Sequence, residues 1–460
     1  MGLPVAKPLA RAYPKLCEGG LCMELVTLGI FCAALVGAIF TGVPTVCALL
    51  AGLAAFCIYA WRWSGSARRV ARMCWEGIAP IAKILGMLAL IGVLTGLWRA
   101  AGVIPAIVYY AVPLISPGVF LLATFLLNCL VSVLTGTSFG TAATVGSICI
   151  SMAGAMGVPL FAAGGAALSG AFFGDRCSPI STSALLVADL TGTDFYNNLK
   201  RMVKSAAVPF VLTCVAYFAL GPLIPASGEA GDMAASLASA FAVGPVVLLP
   251  PVIVFALALM RVDILVVIGA GIASSVPLCL AVQDMTMADV VRTAILGYVA
   301  PLPQVRALSG GGLVSMLDAV QIVCITSAYA GIFKETPLLA GIDRVVWGMS
   351  RRLSPYGVTL TTSVFTAIIS CNQTLAIMLA HQLCGDLDQN ASDHALDLED
   401  SVVLVAGLVP WSIAGAVPLA SMGAPVAASM ALAIYLYAVP AWRLLSGWFA
   451  ARGRARCAVR

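Results

Sequence analysis

The chain is poor in charge. Of its 460 residues only 10% are Asp, Glu, Lys or Arg, while 61% are hydrophobic. A soluble domain carries about 25% charged residues. With a mean hydropathy of +1.03, the shortfall excludes a soluble globular protein, which could not cover its surface in water. Histidine is nearly absent: His381 and His394 are the only two, too few for a multi-histidine metal centre. The 15 cysteines are scattered through apolar segments without a Cys-x-x-Cys pair. They read as small core residues in a reducing or lipid setting, not as a disulfide frame or a metal site. Neither a His-Glu-x-x-His pair nor a phosphate-cradling Gly-x-x-x-x-Gly-Lys-Ser/Thr loop occurs, so ATP-driven work by this chain alone is not expected, and neither is an enzyme activity. The net charge of +5 resides in loops and tails and does not point to nucleic acid as a partner.

What remains is an all-α polytopic membrane protein whose partners are the lipid bilayer and a small ion or small-molecule substrate. At about 20 residues per span there is room for about ten crossings beside two re-entrant hairpins. Residues 1–22 form a polar tail with Lys7, Arg11 and Lys15. No cleavable leader is expected, because the first apolar run is followed at once by a second. Residues 23–225 form a first transmembrane repeat, and the loop after its first hairpin carries Arg62, Arg68, Arg69 and Arg72. Residues 67–76 within that loop suit an amphipathic surface helix. An external linker, 226–236, holds Glu229 and Asp232 without a basic residue, a second repeat covers 237–447, and a basic tail, 448–460, holds Arg452, Arg454, Arg456 and Arg460. The basic ends place both termini in the cytoplasm.

Two polar patches interrupt this apolar landscape. Thr135-Gly136-Thr137-Ser138-Phe139-Gly140-Thr141 reads as the tip of a re-entrant hairpin, and Gly174-Asp175-Arg176-Cys177-Ser178-Pro179-Ile180-Ser181-Thr182-Ser183 as a broken span. Non-helical backbone at membrane depth is tolerated only where it is buried in protein or lines a wet cavity. Broken helices are also where secondary transporters bind substrates and coupling ions. The second half echoes the first weakly. Ser354-Pro355 matches Ser116-Pro117, and 16 residues after each of these serines stand Ser370 and Ser132. A polar turn, Cys371-Asn372-Gln373-Thr374, follows Ser370; Glu399-Asp400 echoes Gly174-Asp175, and Val409-Pro410 echoes Ser178-Pro179. Two inverted-topology repeats, each with a re-entrant hairpin and a broken transmembrane helix, are therefore expected.

These residues carry a resemblance. Gly136–Gly146, Gly170–Ser181, Gly192-Thr193-Asp194, Ser309–Met316, Asn372-Gln373, Leu398–Ser401 and Leu408–Trp411 follow one another as in the NhaC-type Na+/H+ antiporter family of the ion-transporter superfamily. The similarity runs from about Leu85 to Pro418. It implies a secondary transporter of the inner or plasma membrane, with two inverted repeats whose hairpins meet at mid-membrane. It also implies exchange of Na+ for H+, or in related members of organic anions or amino acids, without a resident cofactor. The chain departs from the family where an acidic residue has become Thr182, an amide Leu185 and an asparagine Ser412.

Few groups can then carry a proton. Asp175 sits between apolar helices and the break, where burial favours the protonated form; the competing reading is a loop carboxylate paired with Arg176 or Lys200. Asp400 holds the matching place in the second half, or else ends a solvated acidic loop with Asp386, Asp388, Asp393 and Asp397. Asp318 suits the first turn of a helix, and His381 a satisfied interfacial position. Thr137, Ser138, Ser178, Ser181, Thr182, Asn372 and Gln373 are the neutral candidates for substrate or ion binding, with small-residue helix packing as the alternative. Three readings stand: Na+/H+ antiport; Na+- or H+-coupled transport or exchange of an organic acid or amino acid; and a channel or scaffold. A homodimer is a further expectation.

Overall fold

The computed structural model describes residues 20–41, 43–111, 116–179, 181–224, 240–260, 262–300, 309–339, 353–385 and 390–458. The 226–236 linker, Asp386 and Asp388 lie outside them. Among the described residues the structure is helical, with no β-strand and a single bridge between Tyr298 and Gly310. Among the described residues seven helices are long and apolar enough to cross a membrane. The broken pair Ala391–Leu408 and Ile413–Met422 makes an eighth if counted as one span.

In chain order the helices are α1 (Gly20–Thr41), α2 (Thr45–Ser64), α3 (Ala67–Ile78), α4 (Ala82–Ala100), α5 (Val103–Ala111) and α6 (Pro117–Thr135). Next comes α7 (Ser138–Ala155), with a π-helical stretch at Ala142–Gly146. Then follow α8 (Leu160–Cys177), α9 (Thr182–Thr191), α10 (Phe195–Leu223), α11 (Leu249–Leu259), α12 (Ile264–Ala281), α13 (Met287–Leu296) and α14 (Leu317–Glu335). The last are α15 (Pro355–Ser370), α16 (Gln373–Cys384), α17 (Ala391–Glu399), α18 (Val402–Val405), α19 (Ile413–Met422), α20 (Val426–Ala431) and α21 (Ile434–Ala458).

The chain forms two compact units. The first gathers Met1–Ala82, Asp189–Thr193 and Gln321–Ala414. Its core includes an aromatic cluster in which Phe56 lies 5.1 Å from Phe31, 5.0 Å from Tyr329 and 5.1 Å from Phe333, ring centre to ring centre. Edge-on pairs such as Phe56–Tyr329 suit the ring quadrupole, and the Tyr329 hydroxyl donates to the Leu49 carbonyl. Helix α3 is amphipathic as its sequence suggests: Val70 and Met73 are buried while Arg68, Arg69 and Arg72 are exposed.

The second unit gathers Lys83–Ala188, Asp194–Val320 and Gly415–Arg460. Its centre is the crossing of α6 and α8. A Cβ added to Gly174 would stand 2.2 Å from the Ser132 carbonyl carbon and 2.3 Å from the Val133 nitrogen. Only glycine permits this backbone approach, the device by which small residues bring membrane helices together. Tyr217, fully buried on α10, shares a hydrogen bond of 2.8 Å with Ser169 and donates to the Leu432 carbonyl at 2.7 Å.

Candidate functional site

In the second unit, α6 ends at a left-handed Gly136 (φ 68°, ψ 15°), and Thr137 is extended (φ −140°, ψ 131°) before α7 begins. Glycine adopts the left-handed conformation at no steric cost. The Thr137 hydroxyl then caps α7 by accepting from the Gly140 N–H, as N-cap threonines do. Ser138 is buried and Thr137 partly so. The spacing Gly136-Thr137-Ser138-Phe139-Gly140 matches the Gly-x-Ser-x-Gly of a hydrolase elbow. That elbow needs a strand before its serine, and here α6, a helix, precedes it. Behind the tip, Thr141, Thr144, Ser147 and Ser151 each donate to a carbonyl one turn back, at 2.7–3.0 Å. Their hydroxyl oxygens keep acceptor capacity. The π-helical stretch lies within this ladder, and such bulges concentrate at functional sites.

The break between α8 and α9 is fastened to the same helix. The Ser178 hydroxyl donates to the Val133 carbonyl at 2.7 Å, three residues before the tip. The Ser181 hydroxyl donates to the Asp175 carbonyl, as does that of Ser183 at 3.2 Å, and the two hydroxyls lie 3.0 Å apart. Asp175 is buried on the last turn of α8 at 5% exposure. Beside it Arg176 is wholly buried and donates to the Ser205 hydroxyl at 2.8 Å and the Tyr435 hydroxyl at 3.2 Å. Asp175 thus lies within a helix rather than in a loop. Thr182 stands apart from its neighbours, exposed on the first turn of α9, whereas Ser181 and Ser183 are buried.

The first unit contains a second tip of the same backbone form. Helix α15 ends at a left-handed Cys371 (φ 54°, ψ 10°), and Asn372 is extended (φ −144°, ψ 130°) before α16. The Asn372 carboxamide accepts from the Thr374 N–H at 2.9 Å, and the Gln373 amide donates to the Val403 carbonyl at 2.9 Å. The left-handed residues align Thr135 with Ser370 and Thr137 with Asn372. The pairing of Ser132 with Ser370 is thus out of register, because α6 has 19 residues and α15 has 16. The second break, after Leu408, is held to this tip: the Ile413 N–H donates to the Cys371 carbonyl at 2.9 Å and the Trp411 indole to the Ile368 carbonyl at 3.0 Å.

Asp400 is no solvated loop end. It is fully buried at the C-terminus of α17, with Asp397 and Glu399 also buried at 4% and 1% exposure. The reason is local: Ala395, Leu396 and Leu398 carry α17 into the protein interior and take the intervening acids with them. The Tyr356 hydroxyl donates to the Asp400 carbonyl at 2.9 Å, the Ser401 hydroxyl to the Asp397 carbonyl, and that of Ser363 to Ser401. Asp397 and Glu399 were missed from the sequence. The signal was the spacing of Asp397 and Asp400, which puts both on one helix face. Asp318 lies exposed in the first turn of α14. His381 finds His394, Nδ1 to Nε2, at 3.1 Å.

Comparison with known proteins decides the class. The profile of the Na+/H+ antiporter family matches residues 21–194 and 170–450. The chain belongs to the Na+/H+ antiporter family. It is 29% identical over 405 residues to the malate-2H+/Na+-lactate antiporter of Bacillus subtilis, covering 84% of this chain and 86% of that one. It is 26% identical over 389 residues to the Na+/H+ antiporter NhaC of Alkalihalophilus pseudofirmus, covering 81% and 83%. To the arginine/ornithine antiporter ArcD of Halobacterium salinarum it is 26% identical over 344 residues, covering 71% and 70%. This antiporter is accordingly a multi-pass plasma-membrane protein and a secondary transporter, not an enzyme. Small ions are its cargo, and the family uses no resident cofactor.

Proposed function

We propose that this antiporter exchanges Na+ for H+, with Asp175 as the principal proton carrier. The observation that carries the reading is a carboxylate at 5% exposure on the last turn of α8, just before the chain breaks at Ser178. An ionisable residue inside a membrane span is costly and marks an ion pathway by default. The C-terminal end of α8 brings partial negative charge to the same place, which suits a cation. Within the second unit the hydroxyl oxygens of Thr137, Ser138, Ser178 and Ser181 are neutral oxygens of the kind a hard cation prefers; the carboxamide oxygens of Asn372 and Gln373 are a separate candidate set within the first unit. Asp400 is the second proton site, with Asp397 and Glu399 beside it in sequence. We also propose two inverted repeats with both termini in the cytoplasm.

The test is Na+-driven pH change in proteoliposomes. Asp175→Asn keeps shape and removes a buried charge, so the protein should insert and fold. An amide has no titrating proton, so proton exchange should be lost. An unchanged pH profile would refute the role.

A second reading, exchange of a small carboxylate, is favoured by one observation. The position where the family resemblance expects an acid is Thr182, exposed at the start of α9. A hydroxyl does not titrate in the physiological range, so this position cannot supply a second proton carrier.

A further inference from the structure

Among the described residues, Arg99 is a cation with no counter-ion. It lies on the last turn of α4 and is half-buried. Neither the Arg69–Glu335 nor the Lys83–Asp263 ion pair involves it. Its Nε is buried and makes no hydrogen bond among the described residues. A guanidinium carries five N–H donors and does not give up its charge in a protein. Burying one donor of a charged group without an acceptor is unfavourable. The helix C-terminus favours a positive charge but leaves the Nε donor without an acceptor.

A Gly-rich loop is built against this guanidinium. The Gly310 N–H and C=O pair with the Tyr298 carbonyl and N–H at 2.8 and 3.0 Å, and the Gly312 N–H donates to the Gly92 carbonyl of α4 at 2.7 Å. Those bonds seat the loop along α4 as far as Arg99. A Cβ on Gly310 would stand 2.7 Å from Arg99 Nη1, and the residue has φ 132°. Glycine at this position is what leaves room for the guanidinium. Ser309, whose hydroxyl accepts from the Ala300 N–H at 2.9 Å, fixes the start of the loop.

We propose that Arg99, framed by the Ser309–Gly312 loop, binds the carboxylate group of a small organic anion. A carboxylate presents two coplanar oxygens that match the guanidinium fork, and would give the buried donor its acceptor. The proposal rests on the second reading above and names the residue that would select the anion. A lipid phosphate has related chemistry, and the test separates the two.

The full-length protein is purified, and its thermal unfolding is followed against L-malate, L-lactate and acetate, and separately against phosphatidylglycerol. Uptake of the same three acids is measured in proteoliposomes. The variants are Arg99→Gln, Arg99→Lys and Gly310→Ala, the last of which keeps the arginine but crowds it. At least one acid should stabilise and be taken up by the parent. Arg99→Gln should then raise the half-saturating concentration about 10- to 100-fold, as expected for a lost charge-assisted hydrogen bond. Arg99→Lys and Gly310→Ala should fall between. Na+-driven pH change through Asp175 should persist in all three. Uptake by the parent with unchanged half-saturation in every variant overturns the proposal and leaves the second reading standing. A response of the variants to phosphatidylglycerol alone overturns it in favour of a headgroup. If no acid is bound or transported by the parent, both fall.

Discussion

The crossing of α6 and α8 permits a quantitative test. In Gly174→Ala the new methyl would begin 2.2 Å from the Ser132 carbonyl carbon, with the Val133 nitrogen at 2.3 Å and Ser132 Cβ at 2.4 Å. Non-bonded carbons rest at about 3.5–4.0 Å, and two of these three neighbours are backbone. The helices must therefore part by more than about 1 Å. Overpacking of this kind costs about 1–3 kcal/mol. Parting also stretches the bonds from Ser132 Oγ to the Ala171 carbonyl (2.5 Å) and from Ser178 Oγ to the Val133 carbonyl (2.7 Å), each worth about 1 kcal/mol. Replacing glycine by alanine within a helix returns about 1 kcal/mol. The net expectation is a loss of about 3 kcal/mol, a hundredfold or more in the folding equilibrium. Gly269→Ala is the control: it lies within α12 with nothing inside 4 Å of the added Cβ, so it should be neutral or stabilising by up to about 1 kcal/mol. Unfolding in mixed detergent and SDS micelles reads both. Equal midpoints for the two variants would refute the close crossing, and with it the anchoring of Ser178 beside the first tip.

The other expectations are briefer. Thr182→Asp should shift the pH optimum of exchange and strengthen its Na+ dependence, because a second carboxylate near the first pushes one of the pair toward the protonated form; a profile identical to the parent's counts against a shared site. Asn372→Ala removes an N-cap and should cost about 1 kcal/mol and reduce Na+ affinity, whereas Asn372→Asp should keep the cap; equal Na+ dependence in both variants and the parent would demote this tip to scaffold. Lys83 donates to Asp263 at 2.6 Å, and this bond, with one from the Leu265 N–H, holds the Asp263 carboxyl below its ordinary value. That stabilisation is present above about pH 4, the unfolded range for Asp, and is lost as acid protonates the folded state. Asp263→Asn should flatten the acid limb of thermal stability, by little, since the pair is exposed; an unchanged limb argues against it. Cysteines placed in 226–236 should react with an impermeant maleimide from outside the cell and those in 454–460 should not; labelling of the tail would overturn the proposed orientation.

The helix breaks were legible in the sequence because each has a local cause. Gly136 accepts a left-handed conformation, proline cannot continue a helix hydrogen bond, and Thr137 and Asn372 are natural N-caps. Family membership was legible because several motifs occur in order. The state of the 386–400 segment was not: six carboxylates there resemble a solvated loop, and only the packing of α17 shows that Asp397, Glu399 and Asp400 are buried. The register of the two tips was hidden as well, since a difference of three residues in helix length moves Ser132 away from the place of Ser370. The His381–His394 contact joins residues on separate helices, and no spacing along the chain announces such a meeting. Arg99 escaped notice because a basic residue at a helix end looks ordinary until its Nε is found buried without a partner among the described residues.

Cys371 holds a left-handed backbone that L side chains other than Asn and Asp seldom adopt, at a cost of about 1–2 kcal/mol relative to glycine. It is also wholly buried. The second tip therefore carries a reporter. A maleimide can reach this thiol only while the tip is away from its seat, so when the tip opens and recloses faster than the thiol reacts, the rate of modification equals the intrinsic thiol rate multiplied by the open fraction. Cys371→Gly should close the tip further and, by the strain it relieves, reduce the opening that transport requires. In a background lacking the other reactive cysteines, the native thiol would report the open fraction of the tip under Na+ and proton gradients, without an added label site.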